Sequence, residues 1–153
     1  MADAKGIMLY IFLSATLCLS VAIVIIVSLP YHCDTIILKC RDNWVGYNDK
    51  CYYFSNDTAS WKQADDFCRR FYSILAPLHS LHQISFLKRF KDTFDYWLGV
   101  VKYDGKWSNY DGSHLPLTFL IRGVEDYAYL NNNGISSARV YADRRFICYY
   151  SYV

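Results

Sequence analysis

Tyr96-Trp97-Leu98-Gly99-Val100-Val101 runs between Asp95 and Lys102 without a charge, and the hydrophobic periodicity of the chain changes at this point. Six apolar residues, too few for a stable helix and rich in aromatic and β-branched side chains, read as a core strand. The segments just before it are helical. Ser60 followed by Gln63 is a capping-box pattern, and Trp61, Ala64, Cys68 and Phe71 recur at intervals of three, four and three along one face. Pro77 separates this helix from a second, where Ser80 and Gln83 repeat the pattern. There Ile84, Leu87 and Phe90 form the apolar stripe, and Lys88, Arg89 and Lys91 form the solvated side.

Further upstream, Asn43 to Tyr47 alternates apolar and polar residues, Asn48, Asp49 and Lys50 carry turn chemistry, and Tyr52 to Phe54 is an aromatic strand. This is a hairpin whose arms Cys40 and Cys51 would staple. Downstream, Gly105 and Gly112 punctuate a short strand at Lys106 to Asn109, and Thr118 to Arg122 adds extended structure. Tyr127 to Leu130 predicts a strand, Asn131 to Gly134 a tight turn, and Ala138 to Ala142 a second strand edge. Arg145 to Tyr150 predicts the last strand, with Cys148 in it. Two helices followed mainly by strands make an α+β fold.

The N-terminal part is of another kind. Gly6 to Leu29 is twenty-four residues without a charge, long enough as a helix to cross a hydrocarbon core of about 30 Å. It is longer than the apolar core of a cleaved signal peptide and lacks a small-residue cleavage site, so it predicts a signal-anchor. Residues 1–5 then form a cytoplasmic tail, 6–29 the transmembrane segment, 30–39 a stalk and 40–153 the folded domain. Basic residues near the span do not fix its direction. Five of the six cysteines and an Asn-x-Thr glycan acceptor at Asn56 lie beyond it, and both features belong to an oxidising exterior. The expected protein is a single-pass type II protein of the cell surface. Cys18 in the span reads as a small hydrophobe. Cys33 in the stalk is the odd cysteine out and predicts an interchain disulfide.

These motifs carry a resemblance. Trp44-Val45-Gly46-Tyr47 before Cys51, Ser60-Trp61 before Cys68, Trp97-Leu98-Gly99-Val100, Tyr129-Leu130-Asn131 with Ser136-Ser137-Ala138-Arg139, and Phe146-Ile147-Cys148 resemble the C-type lectin-like domain. Within that superfamily the chain is similar to the natural killer gene-complex branch, particularly the Clr group of osteoclast-inhibitory lectins. The resemblance covers Cys40 to Tyr149 and implies disulfides Cys40–Cys51 and Cys68–Cys148. Members of this fold usually have a further disulfide in the second half, and its two ends correspond to Tyr127 and Val140 here.

Sugar-binding members hold calcium through a Glu-Pro-Asn or Gln-Pro-Asp triplet in the long loop and a Trp-Asn-Asp triplet in a late strand. Here Pro116 stands between Leu115 and Leu117, and Trp-Asn-Asp is missing. Calcium requires six to eight oxygen ligands, so the sequence speaks against calcium-dependent sugar binding and predicts neither metal nor cofactor. Enzyme readings are weaker still. His79 and His82 have no third zinc ligand at plausible spacing, His114 beside Asp111 and Ser113 makes no triad by adjacency alone, and no nucleophile elbow or phosphate loop is present. A net charge of +2 and an extracellular domain give no reason to expect nucleic acid.

A protein-recognition module remains. Clr-like ligands engage inhibitory lectin-like receptors on natural killer cells, and the resemblance implies a ligand of that kind that dampens killing. The short tail and reduced disulfide set also fit a virus-encoded mimic serving immune evasion. The family's two-fold dimer, together with Cys33, predicts a homodimer. The competing readings are a host leukocyte lectin-like receptor and a carbohydrate-binding lectin. In domains of this group, partners meet the end formed by the long loop and late strands, which maps onto Lys102 to Asp104, Phe119 to Arg122 and Arg139 to Arg145. The expected contact residues are Tyr103, Arg139, Tyr141, Arg144 and Arg145.

Overall fold

The computed structural model describes residues 6, 8, 9, 12–18 and 40–152. The chain divides into two units, Met1–Ile37 and Leu38–Val153. In the first, residues 12–18 are helical, and the Thr16 hydroxyl donates to the Leu13 carbonyl at 2.9 Å. Among the described residues no helix is long and apolar enough to cross a membrane. Most of the expected span, and the stalk with Cys33, lie outside the described residues.

The second unit begins with a tight hairpin, β1 (Val45–Tyr47) and β2 (Lys50–Phe54), paired so that Tyr47 faces Lys50. Asn48 and Asp49 both take positive φ, 48° and 57°. A two-residue turn that matches the right-handed twist of its strands needs this pair, and Asn and Asp tolerate it. Helix α1 (Trp61–Arg70) starts at a complete capping box between Ser60 and Gln63 and buries Trp61, Ala64, Asp65 and Cys68. After β3 (Ile74–Leu75), helix α2 (Leu81–Phe90) starts at Ser80.

The strands that follow are β4 (Tyr96–Tyr103), β5 (Lys106–Asn109), β6 (Ile121–Arg122), β7 (Tyr127–Asn131), β8 (Gly134–Ala138) and β9 (Arg145–Ser151). The sheet runs β1-β2-β9-β4-β7-β8-β6, with β3 on β9 and β5 on β4. Pairing is antiparallel except for β4 with β9 and β6 with β8.

Tyr96–Val100, in the middle of this order, is wholly buried. Leu98 and Val100 enter a core with Tyr52, Leu78, Leu87, Leu130 and Ile147, while Trp97 joins Trp61, Leu75, Phe146 and the Cys68–Cys148 pair in a second cluster. Gly99 is required by close approach, since a Cβ there would lie 2.3 Å from the Leu75 carbonyl oxygen. The indole N–H of Trp61 donates to Leu98 O at 2.8 Å and that of Trp97 to Ala59 O at 2.9 Å, so both large rings are buried with their polar atoms bonded. The disulfides are Cys40–Cys51 and Cys68–Cys148, with Cα separations of 5.5 and 5.4 Å.

Several expected boundaries move. The strand anticipated at Ala138–Ala142 is Gly134–Ala138. It pairs with β7 only as far as Tyr127 and then turns, with Ala142 N–H donating to Arg139 O at 3.0 Å. Phe71 is half exposed because α1 ends at Arg70. In α2 the buried residues are Gln83, Phe86 and Leu87, while Phe90 in the last turn is half exposed and packs on Phe54 and Phe86. Gln83 can be buried because its side-chain N–H groups reach Tyr52 Oη and Pro77 O, while Oε1 accepts from His79 N–H.

Candidate functional site

The face mapped from sequence is built on β4. Strands β4 and β5 join through Asp104 and Gly105, both with positive φ, and the turn lifts Tyr103 into solvent at 82% exposure. The long loop after β5 is pinned at its root by Asn109, whose side chain accepts from Leu78 N–H at 2.9 Å and donates to Leu78 O at 3.0 Å. Beyond that root the loop carries its apolar residues outward, with Leu117 99% and Leu120 77% exposed. It returns through β6, where the Arg122 guanidinium donates to Asn133 O in the β7–β8 turn.

Residues 123–126 are held by cations of the chain itself. Lys102 Nζ donates to Val124 O at 2.6 Å and lies 3.4 Å from Asp126 Oδ1, while Lys102 N–H donates to Asp126 O at 2.8 Å. Arg139 Nε donates to Glu125 Oε1 at 3.1 Å, and its Nη1 to Tyr141 Oη at 2.8 Å. Arg139 and Tyr141 therefore form one exposed unit, and Tyr141 is 66% exposed. Tyr103 is linked to them through a cleft that both Tyr103 and Val140 line.

Arg144 and Arg145 are used differently. The Arg144 guanidinium lies 4.0 Å from the ring centre of Tyr129 and 5.0 Å from that of Trp97, with Asp95 3.8 Å away. Arg145 is bonded to Asp92, its guanidinium lies 4.0 Å from the Phe94 ring centre, and hydrogen bonding to Tyr96 holds it firmly protonated. Both side chains are largely buried and line a separate depression with Thr58, Thr93 and Asp143. The five expected contact residues thus divide into three that face solvent and two that brace their own strand. Sequence reading missed Lys102 as a loop clamp because nothing local marks Val124 O as its acceptor. It also left out Leu117, although leucines on both sides of Pro116 in a polar loop were a visible signal, and it included Leu120 only as part of the segment Phe119 to Arg122.

Outside this face, Asn56 is exposed in the turn between β2 and α1. The His79 ring lies 6.2 Å from Tyr149, and its pKa is lowered by burial first and by Lys50 second. Burial also pushes the phenols of Tyr52 and Tyr96 upward, so both stay neutral.

The model for the lectin C-type domain matches residues 57–149. The chain belongs to the C-type lectin family. Its relatives include C-type lectin domain family 2 member D11 of Rattus norvegicus, 38% identical over 88% of this chain and 66% of that protein. Family 2 member D of Homo sapiens is 38% identical over 71% of this chain and 58% of its own length. A putative C-type lectin protein of Fowlpox virus (strain NVSL) is 33% identical over 88% of this chain and 85% of the viral protein. The chain thus spans about three fifths of the length of the two mammalian relatives. Among solved structures, the mouse scavenger receptor C-type lectin carbohydrate-recognition domain has a TM-score of 0.65 at 24% identity, covering 73% of this chain and 96% of that one. A calcium-independent type II antifreeze protein has the same TM-score at 19% identity, covering 74% and 95%. These similarities give the fold, and the family gives a non-catalytic recognition module.

Calcium is the ion such folds imply, and the residues present do not fit it. Strand β8 offers the hydroxyls of Ser136 and Ser137 rather than a carboxylate and an amide, and the loop offers Leu115-Pro116-Leu117. Among the described residues no group of three or more His, Cys, Asp or Glu side chains is placed to hold a metal. The positive charge that reaches this loop comes from Lys102, Arg122 and Arg139.

Proposed function

We propose that this protein is a type II surface ligand, anchored by residues 6–29, that binds an inhibitory lectin-like receptor of natural killer cells without calcium and dampens killing. The observation that carries this reading is the 38% identity to family 2 members, the group whose motifs the sequence resembles. Tyr103, Arg139 and Tyr141 supply the exposed face, with amphipathic rings and a guanidinium suited to a protein interface. The viral relative, most of which the chain covers, supports a virus-encoded mimic that displays the ligand on infected cells.

Cells displaying the protein, stained with a panel of soluble inhibitory lectin-like receptors, test this directly. Binding by one receptor, weakened at least tenfold, about 1.4 kcal/mol, by Arg139→Ala or Tyr141→Ala, is the expected result. No staining by any receptor, with calcium-dependent staining by a glycan instead, sinks it. That outcome would support the second reading, a carbohydrate-binding lectin. This reading draws on the fold, since one solved neighbour with a TM-score of 0.68 at 16% identity is the lectin domain of murine dendritic cell inhibitory receptor 2 in complex with an N-glycan.

Two covalent features belong to the proposal. Cys33 links two copies, so the unreduced protein runs near twice its subunit mass and Cys33→Ser returns it to monomer. Asn56 carries one glycan, removable by a peptide-N-glycosidase from protein made in mammalian cells.

A further inference from the structure

Three asparagines in a row, Asn131-Asn132-Asn133, lead into Gly134 at the turn between β7 and β8, and Asn133 alone among the asparagines of the chain precedes a glycine. The fold treats the three differently. Asn131 is held at both ends of its amide, Nδ2 donating to Ser136 Oγ at 3.0 Å and Oδ1 accepting from Asn133 N–H at 2.8 Å. Asn132 is held by Lys91, whose Nζ donates to its Oδ1 at 2.8 Å. The Asn133 side chain is exposed and has no hydrogen-bond partner among the described residues. Gly134 follows with φ of 124° and has no side chain to shield its backbone nitrogen. It forms the end rung of the β7–β8 ladder, opposite Asn131, so only the tip of the hairpin has to open for that nitrogen to move. Across the turn, the Arg122 guanidinium donates to the Asn133 backbone carbonyl oxygen.

A free asparagine amide beside an unhindered backbone nitrogen can close a ring. The Gly134 nitrogen gives up its proton to water and attacks Asn133 Cγ, a C–N bond forms, and the side-chain nitrogen takes up a proton and leaves as ammonia. The five-membered imide that results has two carbonyls, one from the side chain and one from the Asn133 backbone. Water then adds to one of them and breaks its bond to the Gly134 nitrogen. Opening at the side-chain carbonyl gives aspartate. Opening at the backbone carbonyl gives isoaspartate, in which the chain runs through Cγ and the former backbone carbonyl becomes a free carboxylate. Nothing is oxidised or reduced, and water is the only co-reactant. Arg122 bears on the choice, because a guanidinium on the backbone carbonyl oxygen draws electrons from its carbon and makes a charge-assisted pair with a carboxylate formed there.

We propose that Asn133 is a self-modifying site, converting to a carboxylate in the folded protein, with Arg122 steering the product to isoaspartate. The change is one-way and lowers the formal net charge of +2 by one unit. It also adds a methylene to the backbone of the turn that Arg122 of β6 holds. It needs no enzyme and does not depend on which receptor the protein meets.

The test incubates the full-length chain in nonionic micelles at neutral pH and body temperature, folded and, in parallel, unfolded in guanidinium chloride. Peptide mapping by mass spectrometry reads the amide-to-acid change at each asparagine, and electron-transfer fragmentation separates isoaspartate from aspartate. The expected result is conversion at Asn133 ahead of every other asparagine, at a rate in the folded chain within tenfold of that in the unfolded one. Arg122→Gln, at an exposed position, should lower the isoaspartate-to-aspartate ratio at least twofold with both disulfides intact, and Asn133→Ser should abolish the conversion. A folded rate more than tenfold below the unfolded rate, faster conversion of Asn131 or Asn132, or a ratio unchanged by Arg122→Gln overturns the proposal.

Discussion

The cystine-bound half of the domain and the long-loop half are held in different ways. In the first, Cys68–Cys148 ties α1 to β9 across 80 residues, and Cys40–Cys51 ties the opening hairpin. Both bonds adjoin buried clusters. In the second, residues 123–139 have no cystine, and their cross-connections include Lys102 to Val124 and Asp126, Arg139 to Glu125, Arg122 to Asn133, Lys91 to Asn132, and β-pairing. The first set constrains the unfolded chain and is indifferent to salt. The ion pairs of the second set are partly exposed, individually weak and screened. The end of the domain that carries the exposed residues Tyr103, Arg139 and Tyr141 is therefore built from its least covalently constrained part.

Breaking the covalent half should have the largest effect. Replacing both Cys68 and Cys148 with alanine removes a closed loop of 80 residues and should destabilise the domain by about 4.5 kcal/mol, measured by denaturant unfolding. An effect below 1 kcal/mol would show that the core and not the bond holds α1 to β9.

Adding the missing bond is the converse. Tyr127→Cys with Val140→Cys closes a loop of fourteen residues, with an upper gain of about 3 kcal/mol. The observed gain should be smaller, since the Tyr127 contact with Trp61 is lost. Thiol titration and the denaturation midpoint check this, and a bond that forms without raising the midpoint would mean the aromatic contact is worth as much as the cystine.

A smaller effect is expected from the ion pairs. Arg139→Gln should barely move the denaturation midpoint, since an exposed ion pair is screened by solvent, while accelerating amide exchange in residues 123–126. In the unmodified protein that exchange should quicken with added salt, whereas exchange in β2 and β9 should not.

The smallest effect is a pH dependence from His79. Its folded pKa is lowered by burial first and Lys50 second, against an opposing Asp111. From about pH 6.5 downward the unfolded chain therefore binds more protons at this site, and stability falls on acidification and recovers as pH rises. His79→Gln should flatten that part of the stability profile, and an unchanged slope would assign it to other groups.

The capped helices and the hairpin turn at Asn48-Asp49 were readable in sequence because each rests on interactions within a few residues, and the core and closing strands because a short apolar, aromatic and β-branched run marks a buried strand whatever it pairs with. A capping box or a turn that needs positive φ is written in neighbouring side chains. The two-residue strand β3 was not readable, since its pairing with β9 is all that defines it. The half exposure of Phe90 was also hidden, because this residue closes the last turn of the helix, where Phe54 and Phe86 cover only part of its ring.

The candidate site divides in the same way. Sequence alone suggested the face, through the long loop and the residues around Tyr103 and Arg139, and displayed the missing disulfide at Tyr127 and Val140. It did not separate Arg139, exposed and bonded to Tyr141, from Arg144, laid against Tyr129 and Trp97. Nor did it reveal that Asn132 is held by Lys91 while the Asn133 side chain beside it has no partner among the described residues. An arginine or an asparagine has the same local signature whether it faces solvent, a ring or a partner. Only the meeting of surfaces far apart in the chain selects among these, and that meeting is what the tertiary structure decides.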